Sequence, residues 1–164
     1  MSIRVAAPAA GPAWLARTGL GLLLLIGVLY AFASVSDLAA ALRGLPSDHR
    51  TTFTALAGRS FADFRSADAG AANYVALLER GYAIHELTFA VLFLTVVAIP
   101  FRQRRRWAWW AAWTPMIANI GYTLTFGVHD PALLARALVT DVALPVLLLA
   151  HLPAFFGHRD GAAG

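Results

Sequence analysis

Between Thr18 and Ser36 the chain carries no charged residue. A run of that length meets the ~20 apolar residues a helix needs to cross the hydrocarbon core of a bilayer. Three further runs are of the same kind, and the expected spans cover 13–34, 82–101, 107–127 and 131–156, the third free of charge. Strands are a poor fit, because the runs lack period-2 alternation and an open sheet leaves backbone groups unpaired in lipid. The expected fold is therefore all-α. It is a single membrane domain over 1–164, with four transmembrane helices in a bundle and a long helical extracytoplasmic loop, 35–81, after helix one.

Composition points the same way. Of 164 residues, 59% are hydrophobic and 13% charged, the latter about half the usual share. The mean hydropathy is +0.64. A soluble domain of this size cannot hide that much apolar surface. There is no cysteine, which excludes thiol catalysis, thiolate-bound zinc and iron–sulfur ligation.

All thirteen basic residues are arginines, and the formal charge is +4. A pI near 10.3 would suit a nucleic-acid binder. However, Arg102, Arg104, Arg105 and Arg106 crowd one turn between two apolar runs, which is the positive-inside pattern of a cytoplasmic loop. That places the chain in a bacterial inner membrane with both termini cytoplasmic, and no nucleic acid is expected as a partner. Anionic lipid is an additional partner such a cluster attracts. Trp14, Trp107, Trp109 and Trp110 are expected at the inner interface, where indoles favour the headgroup level. The N-terminus has a competing reading: Arg17, the run 20–29 and Ala31-Phe32-Ala33 also resemble a signal peptide with a small-x-small cleavage site. Against it, the run is long for a signal core, and Gly27 with Ala31 offers a small-residue packing face.

The loop is polar in its middle, Ser47-Asp48-His49-Arg50-Thr51-Thr52, yet Phe53, Leu56, Phe61 and Phe64 make it too apolar for a bare linker. Two or three short surface helices are expected, with Ser47 or Asp48 after Pro46 as an N-cap. Residues 71–80 are expected to be helical and to run into the second span. His49 and His158 are expected to be solvated.

Residues that could carry chemistry are biased to the outer half. At 1.5 Å per residue, Glu86 and Arg136 fall roughly 6–8 Å inside the outer boundary, with Tyr122 level and His85 slightly shallower. Asp141 and Asn119 fall roughly 12–15 Å down, near the midplane. This one-sided polarity suits an outward-facing pocket and not a pore, which is polar along its whole length. Glu86 and Arg136 are the first pair to join, because charges in hydrocarbon seek partners. Asp141 has two readings, a small-ligand site beside the carbonyl that Pro145 leaves unpaired, or a helix-to-helix hydrogen bond with Asn119. Asp130 followed by Pro131 reads as an N-cap with proline at the first helical position. No HxxxH or ExxH pair is present, so neither a metal nor another cofactor is expected; GxSxG, Walker A, GxGxxG and HExxH are likewise absent.

The turn Arg102-Gln103-Arg104-Arg105-Arg106-Trp107-Ala108-Trp109-Trp110 resembles one in small bacterial four-helix integral membrane proteins, broadly DoxX-like. In these a basic turn followed by Trp-Ala-Trp or Trp-Ala-Tyr links helices two and three. The long first loop and the approach from Asn73 to Gly81 are also similar. The resemblance covers about residues 70–127, and arginine stands here where glycine and glutamate often occur. It implies a four-helix bundle in a bacterial membrane and assigns no activity and no functional residue.

The expected function is that of a binding or accessory membrane protein. Glu86, Arg136, Asp141, Asn119, Tyr122 and His85 would line an outward pocket for a lipid-like or amphipathic ligand or a partner helix. One alternative is a membrane enzyme or proton-coupled redox partner using an intramembrane carboxylate. Another is a structural subunit of a larger complex.

Overall fold

The computed structural model describes residues 13–157. Within them the chain is helical, with no strand. The helices are α1 (Ala13–Ala41), α2 (Ser47–Ala57), α3 (Phe61–Ala67), α4 (Ala69–Val96), α5 (Arg106–Ala111), α6 (Thr114–Thr125) and α7 (Pro131–Phe156). Among the described residues, three segments are long and apolar enough to cross a membrane: Arg17–Ala41, Ala69–Phe101 and Pro131–Phe156.

The first two spans run past the expected boundaries. α1 continues beyond residue 34 because nothing breaks a helix there; it stops only before Gly44, whose φ of 152° is open to glycine alone. α4 begins at Ala69, after the Asp68 carboxylate accepts from the Ala71 N–H at 2.9 Å. The 33-residue segment Ala69–Phe101 is about 50 Å long, against ~30 Å of hydrocarbon. The surplus of α4, with the end of α1, forms a platform beyond the apolar belt. On it sit α2 and α3, held by a small core of Leu45, Phe61 and Ala72 with Phe53, Phe64 and Val75 packed around it. Pro46, not Ser47 or Asp48, occupies the position before α2, and it offers no side-chain cap.

Proline accounts for the other irregularities. Pro100 has no N–H to give to the preceding turn, and the end of the second span widens into a π-turn over Val97–Phe101. The segment 107–127, expected as one helix, is two. Pro115 cannot donate to the carbonyl of Ala111, and the Thr114 hydroxyl donates there instead at 2.8 Å, so the helix breaks between α5 and α6. α7 runs unbroken through Pro145 and Pro153. It starts as the Asp130-Pro131 pair predicts, with the Asp130 carboxylate accepting from the N–H groups of Ala132 and Leu133.

The main core lies toward the arginine-turn end. It joins Leu23 of α1, Phe93 and Val97 of the second span, Trp109 of α5, and Leu144, Leu148 and Phe155 of α7. Small residues let the backbones approach. A Cβ on Gly27 would lie 2.6 Å from a methyl of Leu94, and one on Gly19 would strike the His151 ring. Outside this core large apolar side chains face outward all round, Phe32, Ile117 and Val139 each being at least 70% exposed. In water such a belt would be a large contiguous liability, and in lipid it is the solvent-facing surface. Trp107 and Trp110 are exposed, as interface anchors would be. Trp109 is not an anchor: it is buried, and its indole N–H donates to the Leu148 carbonyl at 2.8 Å.

Candidate functional site

The polar centre of the molecule is His49, which is buried and not solvated as expected from the sequence. α2 is positioned by Pro46 before it and Gly58 after it, the latter at φ 65°, with its N–H on the Thr54 carbonyl. That orientation turns His49 and Thr52, three residues apart, toward the bundle, and both are buried. The imidazole lies flat on Phe126, with centroids 4.6 Å apart and planes 10° apart. Tyr82 and Tyr122 flank it at 5.6 and 6.0 Å. Its Nδ1 meets a carboxylate oxygen of Glu79 on α4, and its Nε2 lies 3.1 Å from the Tyr122 hydroxyl on α6. Burial opposes the imidazolium, but the hydrogen bond and charge of Glu79, with Asp37 and Glu86 behind it, outweigh burial and hold His49 above its ordinary 6.5. In the imidazolium both ring nitrogens donate, which matches a carboxylate on one side and a hydroxyl on the other.

Next to His49, Asp48 points along the rim. It accepts from Arg136 of α7 at 3.2 Å, with the guanidinium 65% exposed. Arg136 therefore pairs across to α2 and not with Glu86. Equal depth on two helices says nothing about which way each side chain faces. Glu86, one turn along α4 from Tyr82, instead belongs to the half-buried acidic set with Glu79 and Asp37 that surrounds His49. An exposed bridge such as Asp48–Arg136 is worth about 1 kcal/mol or less, so it fixes an orientation more than it stabilises the fold.

Deeper in the bundle, Asp141 of α7 accepts two hydrogen bonds from α6. Asn119 Nδ2 donates to one oxygen at 2.5 Å, and the Thr123 hydroxyl donates to the other at 2.9 Å. Asn119 and Thr123 are four residues apart, one turn on one face. The Tyr30 hydroxyl of α1 is buried without a hydrogen-bond partner and lies within electrostatic reach of Asp141. Both Asp141 oxygens are occupied in joining α6 to α7. Asp141→Leu leaves both donors unpaired and should lower stability by about 1–2 kcal/mol, read as a lower midpoint in a mixed-micelle unfolding titration, with Asp141→Asn losing less.

Of the six residues expected to line a pocket, Glu86 and Tyr122 belong to the His49 network and Arg136 to its rim. Asp141 and Asn119 form the deeper pair. His85 belongs to neither: it is exposed, and its Nδ1–H donates to the Gly81 carbonyl at 2.7 Å. Among the described residues no group of three His, Asp or Glu could hold a metal ion. His158 lies outside the described residues. Sequence reasoning missed His49, Glu79, Asp37 and Thr123. The available signal was in α2, where His49, Thr52 and Phe53 share one helical stripe with the spacing of an inward face.

No family model, no curated protein and no solved structure matches the chain.

Proposed function

We propose that this chain is a small bacterial inner-membrane protein that acts by binding. An amphipathic, lipid-like molecule places its polar head at the His49 end of the bundle and its tail along the apolar flank. The carrying observation is that the buried charge is concentrated at one end. Glu79 bonds His49 there, Glu86 and Asp37 lie within electrostatic reach of it, and Arg136 stands at the open rim with an exposed guanidinium.

Arg136 is the anchor for an anionic head, because a planar guanidinium donates along two parallel directions to a phosphate or carboxylate. Its present carboxylate partner, Asp48, is on the helix that covers the network, so a ligand head competes with α2 for the same donor. A binding role is favoured over acid–base chemistry because both oxygens of Asp141 are engaged by Asn119 and Thr123.

The reading takes α5 and α6 together as one broken crossing. What supports this is their path along α7, from Trp109 beside Leu148, through Thr123 beside Asp141, to Gly127 beside Leu134. Four crossings with the arginine turn inside put both termini in the cytoplasm and the His49 network outside.

The test is native mass spectrometry of the full chain purified gently in detergent. A small-molecule adduct is expected, with its retention falling about tenfold or more in Arg136→Gln, as for the loss of one charge-assisted contact. A bare wild-type protein, or an adduct indifferent to Arg136→Gln, would falsify the reading.

A further inference from the structure

On the far side of α2 from His49 lies a second feature. A groove of about 680 Å³ runs between the end of α1, α2 and α3. Its lining includes Arg43 from the α1–α2 turn, Arg50 from α2 and Arg65 from α3, with the hydroxyls of Thr54, Ser60 and Ser66 between them, and no acidic residue. All three arginines are exposed, and none forms an ion pair. Of the nearby acids, Asp63 accepts from Ser60 and Asp68 caps α4, and neither pairs with an arginine of the groove. Three guanidiniums thus face one groove with no carboxylate among its lining residues.

The chain maintains this arrangement at a cost. Like charges in one groove repel, and one local feature holds Arg65 there nonetheless: its guanidinium stacks over Phe61 at 5.2 Å. The floor, Leu45 and Phe61, is apolar. Arg43 lies six residues beyond Asp37, the first charge after the apolar run of α1, so about 9 Å further out. This is the level of the headgroups or just above them.

We propose that this groove binds a phosphate-bearing anion, held by Arg43, Arg50 and Arg65. A guanidinium makes bidentate contact to phosphate oxygens. The hydroxyls of Thr54 and Ser66 donate to the Arg50 and Ala62 carbonyls, so the donors for the anion are the guanidiniums themselves. This site is separate from the Arg136 rim and does not depend on it.

The full-length protein in detergent micelles is titrated with two probes, short-chain phosphatidylglycerol followed by native mass spectrometry, and inorganic phosphate followed by calorimetry. Arg43→Gln, Arg50→Gln and Arg65→Gln should each weaken binding about fivefold, and the triple variant about a hundredfold. Arg59→Gln, whose guanidinium lies over Phe64 outside the groove, should leave binding unchanged. The three arginines make no ion pair, so far-ultraviolet circular dichroism should be that of the wild type, and Arg43→Gln and Arg50→Gln should keep its melting temperature, whereas Arg65→Gln also loses the contact with Phe61. This pattern with the lipid probe assigns a lipid phosphate, and the same pattern with inorganic phosphate alone assigns a soluble anion. Binding of neither probe, or equal binding by wild type and triple variant, overturns the site.

Discussion

Glu79→Ala is expected to lower the unfolding free energy by about 3 kcal/mol or more, the loss that follows when one partner of a buried ion pair is removed. The size comes from what remains. His49 is 5% exposed, and without Glu79 its Nδ1 faces no acceptor at the bottom of an aromatic cage. The pH dependence separates this from a simple packing defect. The folded-state value of His49 is raised above 6.5, so its protonation stabilises the fold fully below 6.5. That contribution is lost as pH rises through the higher folded value. The wild type should therefore unfold more easily as pH climbs above 6.5. In Glu79→Gln, which keeps the shape, the largest favourable partner of the imidazolium is gone while burial still opposes it, and the decline above 6.5 should flatten. Mixed-micelle unfolding on both sides of pH 6.5, with an NMR titration of the His49 ring, checks both points. A wild-type stability independent of pH across that range would show that the fold does not depend on a protonated His49 held by Glu79.

Trp109→Ala should cost as much at the other end, again about 3 kcal/mol or more. Trp109 is 4% exposed and packs edge-on against Trp110, Trp113 and Phe156. Its N–H is the link from α5 to the Leu148 carbonyl. Lipid is as apolar as the core, so the loss comes from packing and that hydrogen bond and not from hydrophobic transfer. Trp109→Phe keeps most of the ring and loses the donor, and should cost only about 1 kcal/mol. Exposed Trp110→Ala is the control: it removes the same kind of side chain from the lipid-facing side and should shift the unfolding midpoint far less. If Trp109→Ala and Trp110→Ala were equally mild, α5 would not be anchored through Trp109.

The contrast between Trp109 and its neighbours shows what a sequence can carry here. Four tryptophans near one end of the apolar runs read alike as interface anchors, because composition and depth are the same for all of them. Rotation about the helix axis separates them, and α5 turns Trp109 inward and Trp107 and Trp110 outward. Depth was equally uninformative for Glu86 and Arg136, which are level in the count of residues yet do not pair. It served better for Asp141 and Asn119, whose bond was legible because both are polar at one depth on consecutive helical segments. Thr123 was missed, although it lies one turn from Asn119 on the same face.

Local chemistry was read most directly where it acts within a few residues. The apolar runs, the Asp130-Pro131 helix start and the continuity of residues 71–80 into the second span all follow from nearest-neighbour rules. The break before Pro115 follows from the same kind of rule, but the charge-free run concealed it. The His49 network and the arginine groove arise differently. Their members lie far apart in the chain, His49 and Tyr122 by 73 residues, and no periodicity connects them. The sequence by itself determined that these segments are helices and that the long ones are apolar enough to cross a membrane, because composition and run length fix both. Only the tertiary structure decided which charges meet, because that depends on how far α1 and α4 project beyond the apolar belt and on the direction in which α2 is laid across them.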